Sequence, residues 1–175
     1  MEKGLILYAS KYGATRNYAG WLAEATGFSI SEVKAASRQQ LAAYDTVILG
    51  GGVYASGIAG LSFLRKNRPA LAGKRLFVFA VGASPYDETA FGQLIRHNFK
   101  NDFPGVPCFY CRGAWDEAAM SFGDRTLCRL LQKSLEKRDP ETLAPWEAAL
   151  MQAAGRRCDW TDPAYLTPLL AALGQ

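Results

Sequence analysis

The sequence predicts an α/β fold in which a parallel sheet of five strands lies between two layers of helices. Apolar runs that suit buried strands recur along the chain, and segments with helical periodicity lie between them. Strands that alternate with helices pair in parallel through right-handed crossovers. The 175 residues, 49% of them hydrophobic, suffice for one buried core and are too few for two typical domains. We therefore expect one domain over residues 1–175.

Four apolar runs predict central strands, and one weaker alternating run predicts an edge strand. The central runs are Gly4–Ala9, Thr46–Gly50, Arg75–Val81 and Val106–Cys111, and the edge run is Phe28–Val33. Nearly continuous apolar character is typical of strands that are covered on both faces. The order of these runs therefore favours a sheet sandwiched between helices.

Helical periodicity separates these strands. In the first helix, Tyr18 and Leu22 begin an apolar stripe with spacings of three and four, and Gly27 is a stop signal. The predicted helices are Ala14–Ala25, Ile58–Asn67 and Glu88–Phe99.

The first strand runs into a turn that carries hydroxyl groups and a glycine, and a helix follows at once. This arrangement directs backbone N–H groups and the positive end of a helix dipole at one point, where a phosphate can bind. The alternative is a capped helix start with nothing bound. The candidate binding residues of this turn are Ser10, Lys11, Tyr12, Gly13, Ala14 and Thr15, and the candidates that hold the phosphate are Ser10, Gly13, Ala14 and Thr15.

Two further glycine-rich loops follow the third and fourth strands, at Gly50–Gly57 and Gly82–Asp87. In a parallel sheet, ligands bind beyond the carboxyl ends of the strands. An anion cradle beside exposed aromatic rings suits a flat aromatic cofactor that carries a phosphate, although such loops also serve as ordinary tight turns. The candidate residues of these loops are Gly51, Gly52, Val53, Tyr54, Gly82, Ala83, Ser84 and Tyr86.

Cys108 and Cys111 have the spacing of a thiol redox motif but lie within a predicted strand, where side chains alternate between faces. We therefore expect them to point to opposite sides of the sheet as reduced, buried residues. The four cysteines and the single histidine show no metal-type spacing, so no metal site is predicted.

A formal charge of +4 is too small for a nucleic-acid footprint, so we expect no nucleic-acid partner. The sequence contains no apolar run of about 20 residues, the length that crosses a bilayer, and no signal peptide pattern. We expect a cytoplasmic protein. The oligomeric state does not follow from the sequence.

The three loops resemble those of the flavodoxin-like family of FMN-binding proteins. Ser10, Gly13 and Thr15 match the hydroxyl, glycine and threonine of its phosphate motif, whereas Tyr12 stands where the family often has another hydroxyl residue. The resemblance implies a three-layer sandwich with strand order 2-1-3-4-5 and FMN as the cofactor. It also implies that Tyr54 and Tyr86 contact the flavin ring.

An additional segment, residues 115–151, lies between the fifth strand and the last helix, which Asp162 and Pro163 open. Within it, Asp124–Arg138 predicts an amphipathic helix with a leucine face and a basic face. Three roles remain open for this helix. It is an anionic-substrate site near Arg125 and Arg129, a peripheral membrane contact, or a helix packed on the sheet edge with a solvated basic face.

This layout, with Cys158–Asp162 ahead of the last helix, resembles the flavodoxin-domain branch that includes menaquinone-dependent protoporphyrinogen dehydrogenase. The resemblance implies an oxidoreductase that passes electrons between a reduced substrate and a quinone through FMN. A flavodoxin-type carrier between redox proteins is the alternative, although carriers of this family tend to be acidic. A flavin-free binding domain is the third. The sequence singles out no catalytic residue.

Overall fold

A computed structural model of the chain describes residues 3–100 and 102–174. Its strands are β1 (Gly4–Ala9), β2 (Ser29–Glu32), β3 (Thr46–Tyr54), β4 (Gly57–Ile58), β5 (Arg75–Gly82), β6 (Cys108–Arg112), β7 (Ala114–Asp116) and β8 (Arg157–Asp159). Five of them pair in parallel in the order β2-β1-β3-β5-β6. This order confirms the expected 2-1-3-4-5 arrangement and the edge position of β2.

The helices of the described residues are α1 (Ala14–Thr26), α2 (Arg38–Leu41), α3 (Leu61–Lys66), α4 (Arg68–Leu71), α5 (Glu88–Phe99), α6 (Phe122–Leu135), α7 (Pro145–Ala153) and α8 (Thr167–Leu173), with 3-10 helices at Pro140–Thr142 and Pro163–Leu166. Helices on both faces of the sheet contribute to its cores. Among the described residues, no helix combines the length and the apolar character that a membrane span requires.

Two hydrophobic cores lie on opposite faces of the sheet because strand side chains alternate. On β1, Leu5 and Leu7 enter one core and Ile6 enters the other. The first core receives α3, α4 and α5, and the second receives α1 and α8.

The two strand cysteines follow the same alternation, as predicted. Cys108 packs against the first core and Cys111 lies in the second. Burial raises the pKa of each thiol to about 12, so both stay protonated and inert at neutral pH.

β3 is four residues longer than predicted, because Gly51, Gly52, Val53 and Tyr54 continue the strand instead of forming a loop after Gly50. A Cβ at Gly50 would lie 2.2 Å from Cζ of Phe79, and one at Gly51 would lie 2.3 Å from the carbonyl oxygen of Ala59. These glycines therefore permit close packing within the sheet.

The prediction of a helix from Ile58 is wrong. Ile58 belongs to β4, which pairs antiparallel with β3, and α3 begins at Leu61 after Gly60 adopts a φ of 90°. After the turn that follows β3, the chain runs back along β3 as β4 before α3 begins. Helical periodicity in the sequence did not indicate this short strand.

β7 and β8 pair antiparallel and close off residues 114–159, which we call the extension. Within it, α6 begins at Phe122, two residues earlier than predicted, because Ser121 caps the helix by accepting from the Asp124 N–H at 3.2 Å. Past the extension, Asp162 and Pro163 open the 3-10 helix that leads into α8, as predicted.

Candidate cofactor site

A cavity of about 1000 Å³ lies at the carboxyl ends of the central strands. The loops after β1, β3 and β5 form one side, and the extension forms the other. Small-molecule sites are typically about 300–1,000 Å³, so this cavity is at the upper end of that range.

The loop after β1 directs the start of α1 at the cavity. Gly13, with a φ of 102°, immediately precedes α1, and no side chain within the described residues caps this helix. Ala14 and the buried Thr15 line the cavity beside Lys11 and Tyr12. The first-turn N–H groups of α1 lack intrahelical acceptors, which makes this helix start a ready anion site.

Ser10 and Gly13 lie just outside the main cavity. The Gly13 N–H donates to Ser10 Oγ at 3.1 Å, so the serine hydroxyl shapes the turn. Ser10 lines a smaller neighbouring cavity of about 370 Å³.

In the second predicted loop, Gly52, Val53 and Tyr54 line the cavity, whereas Gly51 is buried in β3 and paired with Ala9. The Tyr54 ring lies across Gly52, where an added Cβ would come within 2.4 Å of the tyrosine hydroxyl. That hydroxyl accepts from the Lys11 N–H at 2.9 Å. Tyr54 therefore connects the first two loops.

A two-residue turn connects β3 to β4, with Ala55 at a φ of 47° and Ser56 at 65°. Such φ values are strained for residues with a side chain. Asn98 of α5 holds the turn, because its Nδ2 donates to the Ser56 carbonyl and its Oδ1 accepts from the Ile58 N–H, both at 2.8 Å. Nothing in the sequence singled out this buried asparagine.

In the third loop Gly82, Ala83, Ser84 and Tyr86 all line the cavity. Two side chains of β6 hold this loop by hydrogen bonds to its carbonyl oxygens. The Tyr110 hydroxyl donates to the Ser84 carbonyl at 2.6 Å, and Arg112 Nε donates to the Ala83 carbonyl at 3.1 Å. The Tyr86 ring, 57% exposed, packs near the Tyr110 ring with centroids 6.0 Å apart. Sequence alone did not indicate a role for Tyr110, because its strand shows only the apolar pattern of a core strand.

The first loop is attached to the extension through Asp124. Lys11 Nζ lies 3.1 Å from Asp124 Oδ2, and the Tyr12 hydroxyl donates to the same carboxylate while accepting from the Ser121 N–H at 3.3 Å. These bonds, that from Tyr12 foremost, hold the pKa of Asp124 below its ordinary value.

The extension presents an apolar wall to the cavity. Its contribution includes Trp115, Met120, Leu127, Leu131 and Trp146, and Asp124 is the single charged side chain it adds within the described part of the chain.

Arg125 and Arg129 do not line the cavity. The Arg125 guanidinium donates to the carbonyl oxygens of Glu117, Ala118 and Met120 at 2.8, 2.8 and 3.0 Å. Arg129 Nε lies 3.9 Å from the Glu117 carboxylate. Both arginines therefore hold the extension together.

Glu117 is the buried centre of that arrangement. Its carboxylate accepts from Gln132 Nε2 at 2.8 Å and from the Gly155 N–H at 3.2 Å, and these bonds, with Arg129, hold its pKa below the ordinary value. The contacts join the turn after β7 to α6 and to Gly155, two residues before β8 begins. They keep α6 in place beside the cavity.

The sequence matches the flavodoxin domain family over residues 5–142. This chain therefore belongs to the flavodoxin domain family. No curated protein was found to match the sequence.

Solved structures with a related fold include three with low sequence identity. A flavodoxin, WrbA-like protein from Agrobacterium tumefaciens is 16% identical, with 88% of this chain and 94% of that chain covered and a TM-score of 0.48. Two-electron reduced flavodoxin from Megasphaera elsdenii is 19% identical, with coverages of 61% and 82% and a TM-score of 0.45. The Trp repressor binding protein from Bacillus subtilis is 14% identical, with coverages of 63% and 85% and a TM-score of 0.44.

The residues present fit FMN. The donor set of the first loop consists of helix N–H groups, the Thr15 hydroxyl and the Lys11 ammonium, and the first turn of α1 carries no acidic residue. This set suits a phosphate dianion. Gly52 and Gly82 lack a Cβ, so Tyr54 and Tyr110 come close to the backbone there, and the aromatic rings that line the cavity suit a flat ring system.

Proposed function

We propose that this protein is an FMN-dependent oxidoreductase that passes electrons from a reduced organic substrate to a quinone-type acceptor. The first-turn N–H groups of α1, the Thr15 hydroxyl and the Lys11 ammonium hold the phosphate. Tyr54 and Tyr86 contact the ring, and the backbone of residues 52–53 and 82–84 borders it.

Bound FMN supplies the electron chemistry, while the protein sets its orientation and environment. In the overall reaction the substrate loses two electrons and two protons. The quinone gains the same number and leaves as the hydroquinone. The Lys11 ammonium neutralises part of the phosphate charge, and the apolar wall of the extension excludes water from the ring side of the cavity.

One observation favours an enzyme over an electron carrier between proteins. The extension covers the side of the cavity opposite the three loops and leaves a compartment with its own apolar lining. A carrier works through an exposed cofactor edge and surface complementarity, and it has no use for such a compartment. The formal charge of +4 points the same way.

Protoporphyrinogen oxidation is the narrower form of this activity that the sequence resemblance implies. Porphyrin propionates need cationic partners. Arg125 and Arg129 are engaged within the extension and lie outside the cavity lining, so they do not favour a porphyrinogen. Of the two half-reactions, reduction of a quinone is therefore better supported than oxidation of a porphyrinogen. We also keep the expected cytoplasmic location as part of the proposal.

FMN titration tests the cofactor site. Thr15 is almost fully buried and lines the cavity, so Thr15→Val keeps the shape and removes the hydroxyl, and Thr15→Ser keeps the hydroxyl. Hydrogen bonds to charged groups contribute about 1.5–3 kcal/mol, so Thr15→Val should weaken FMN binding by about tenfold or more. Thr15→Ser should stay close to the parent.

Quenching of FMN fluorescence gives the affinity, and the visible spectrum of the loaded protein gives the stoichiometry. A parent protein that binds no FMN would refute the proposal. Stoichiometric FMN without quinone turnover, but with rapid electron exchange with a redox protein, would favour the carrier.

A further inference from the structure

We propose that Arg112, at the end of β6, is a positioning residue of the cofactor site, which fixes the third loop and supplies an unpaired positive charge that favours reduced over oxidised FMN. The inference rests on the proposed function, in which FMN occupies the half of the cavity formed by the three loops. It adds a residue that controls the redox balance of the cofactor without lining the cavity itself.

The first step is the position of the Arg112 guanidinium behind the cavity wall. Arg112 does not line the cavity, but it contacts two residues that do. Its Nε donates to the Ala83 carbonyl at 3.1 Å, and its Cζ lies 4.1 Å from the centroid of the Trp160 ring. A cation–π contact attracts a guanidinium and leaves its charge in place. The charge is therefore held directly behind two wall residues.

The second step is that this charge has no carboxylate partner. Within the described part of the chain, no Asp or Glu forms an ion pair with Arg112. Three acidic residues flank its contacts in sequence, and each accepts from a backbone N–H of its own turn: Asp87, Asp159 and Asp162, at 2.7, 3.0 and 2.8 Å. The field of an uncompensated charge extends into a cavity whose walls have a low dielectric constant.

Tyr110 is a second place at which this charge acts inside the wall. Burial raises the pKa of Tyr110, and the positive charge of Arg112 opposes that rise. The Tyr110 hydroxyl donates to the Ser84 carbonyl at 2.6 Å, so the field of Arg112 reaches the third loop.

The third step is the orientation of the peptide group between Ala83 and Ser84. In a trans peptide the C=O and the N–H point in opposite directions. Because Arg112 holds the Ala83 carbonyl, the Ser84 N–H points away from Arg112, and the described residues offer it no acceptor. Arg112 therefore keeps one donor of this cavity-lining loop available to a ligand, while its own charge stays behind the loop.

The redox consequence follows from charge balance. When two electrons and one proton pass from the reduced substrate to FMN, the ring gains one negative charge. The second proton goes to solvent and is recovered when the quinone becomes the hydroquinone. A nearby cation stabilises the added charge and so binds reduced FMN more tightly than oxidised FMN. A purely structural hold on the loop would act on both forms alike.

The test separates the charge from the hold on the loop. Arg112→Gln removes the charge and Arg112→Lys keeps it, whereas Tyr110→Phe removes a bond to the same loop and no charge. Arg157→Gln is the matched control, because Arg157 is exposed, pairs with Asp116 and lies outside the cavity lining. FMN is titrated into each protein in its oxidised form and, without oxygen, in its reduced form. Circular dichroism checks folding.

Arg112→Gln should weaken the binding of reduced FMN about tenfold more than that of oxidised FMN, which lowers the two-electron potential by about 30 mV. Arg112→Lys should keep the parent ratio of the two affinities within about threefold. Tyr110→Phe should weaken both forms by the same factor, and Arg157→Gln should change the ratio by less than about twofold.

An unchanged ratio in Arg112→Gln would overturn the inference. Arg112→Met is a second neutral variant, and if neither neutral variant folds where Arg112→Lys does, the charge serves the fold and the inference is also overturned. A parent protein that binds FMN as described but reduces no quinone would refute the proposed oxidoreductase and retain this role of Arg112. A parent that binds no FMN would refute both.

Discussion

The Lys11 ammonium lies 3.1 Å from the Asp124 carboxylate and so joins the phosphate loop to the extension. Tyr12 reinforces the contact through its hydroxyl, which bonds to the same carboxylate and to the Ser121 N–H. Tyr12 is also the residue at which this chain departs from the usual phosphate motif of its family. The departure now has a structural explanation, because Tyr12 positions α6.

Asp124→Asn should strengthen FMN binding by about threefold. The substitution removes an anion beside the proposed phosphate site and releases Lys11 from its ion pair, and exposed pairs of this kind contribute little individually. FMN titration at low ionic strength measures the change. Asp116→Asn is the matched control, because Asp116 pairs with Arg157 away from the cavity. Weaker binding by Asp124→Asn would mean that the carboxylate orders the loop and does not compete with phosphate.

The contact between α6 and the first loop should depend on pH in a defined window. The pKa of Asp124 is lowered from its ordinary 3.8, so its contribution is complete above that value and is lost as pH falls through the lower folded pKa. The pKa of Lys11 is raised from 10.5, chiefly by the bond to Asp124, so its contribution is complete below 10.5 and is lost as pH rises further.

Hydrogen exchange of α6 amides, corrected for intrinsic rates, should therefore show a plateau of protection between about pH 4 and 10.5. Protection should decline on the acid side, where Glu117, whose pKa is also lowered, loses its bonds as well. High salt should reduce the plateau because Lys11 and Asp124 are partly exposed. A pH profile that does not change in Asp124→Asn would exclude this ion pair as its source.

Gly50→Ala should lower the free energy of unfolding by about 1–3 kcal/mol, because the new methyl group would overlap the Phe79 ring in the second core. Gly20→Ala is the matched control. Gly20 lies within α1 with no atom near its would-be Cβ, and alanine there should stabilise the helix by about 0.5–1 kcal/mol. Urea denaturation measures both values. Equal effects would contradict the packing role of Gly50.

Asn98→Ala should destabilise the protein by about 2 kcal/mol, because it leaves the buried Ile58 N–H without its acceptor and frees the strained Ala55–Ser56 turn. Arg96→Ala, an exposed change on the same helix, should be nearly neutral. Thermal unfolding compares the two. If the Asn98→Ala variant has the same unfolding temperature as the parent protein, the Ala55–Ser56 turn does not depend on the hydrogen bonds of Asn98.

The central architecture was predictable because strands and helices in this chain carry their own periodic patterns. Local sequence was enough to predict three features: the edge position of β2, the opposite orientations of Cys108 and Cys111, and the helical start at Asp162. β4 and the continuation of β3 through Gly52 were not predictable in the same way. Glycines look alike in a turn and in a tightly packed strand, and for Gly50 the difference lies in its contact with Phe79, which is distant in sequence.

The same distinction applies to the cavity. The three groups of candidate residues could be located because each lies at or just past the end of a strand, and eleven of the fourteen candidate residues line the cavity in the structure. The opposite wall was not visible in the sequence, because Trp115, Leu127 and Trp146 lie on three different elements, β7, α6 and α7, and come together only in the folded extension. Arg125 looked like a substrate ligand because sequence does not show that backbone carbonyls already surround it.

The antiparallel pairing of β7 with β8 also has a kinetic consequence. It closes the extension on itself at its base, and the Glu117 bonds are internal to it. A segment built in this way can open as one cooperative unit while the sheet and both cores remain folded. Loss of the Lys11 and Tyr12 contacts would then release this unit from the first loop without breaking the bonds that hold the unit together.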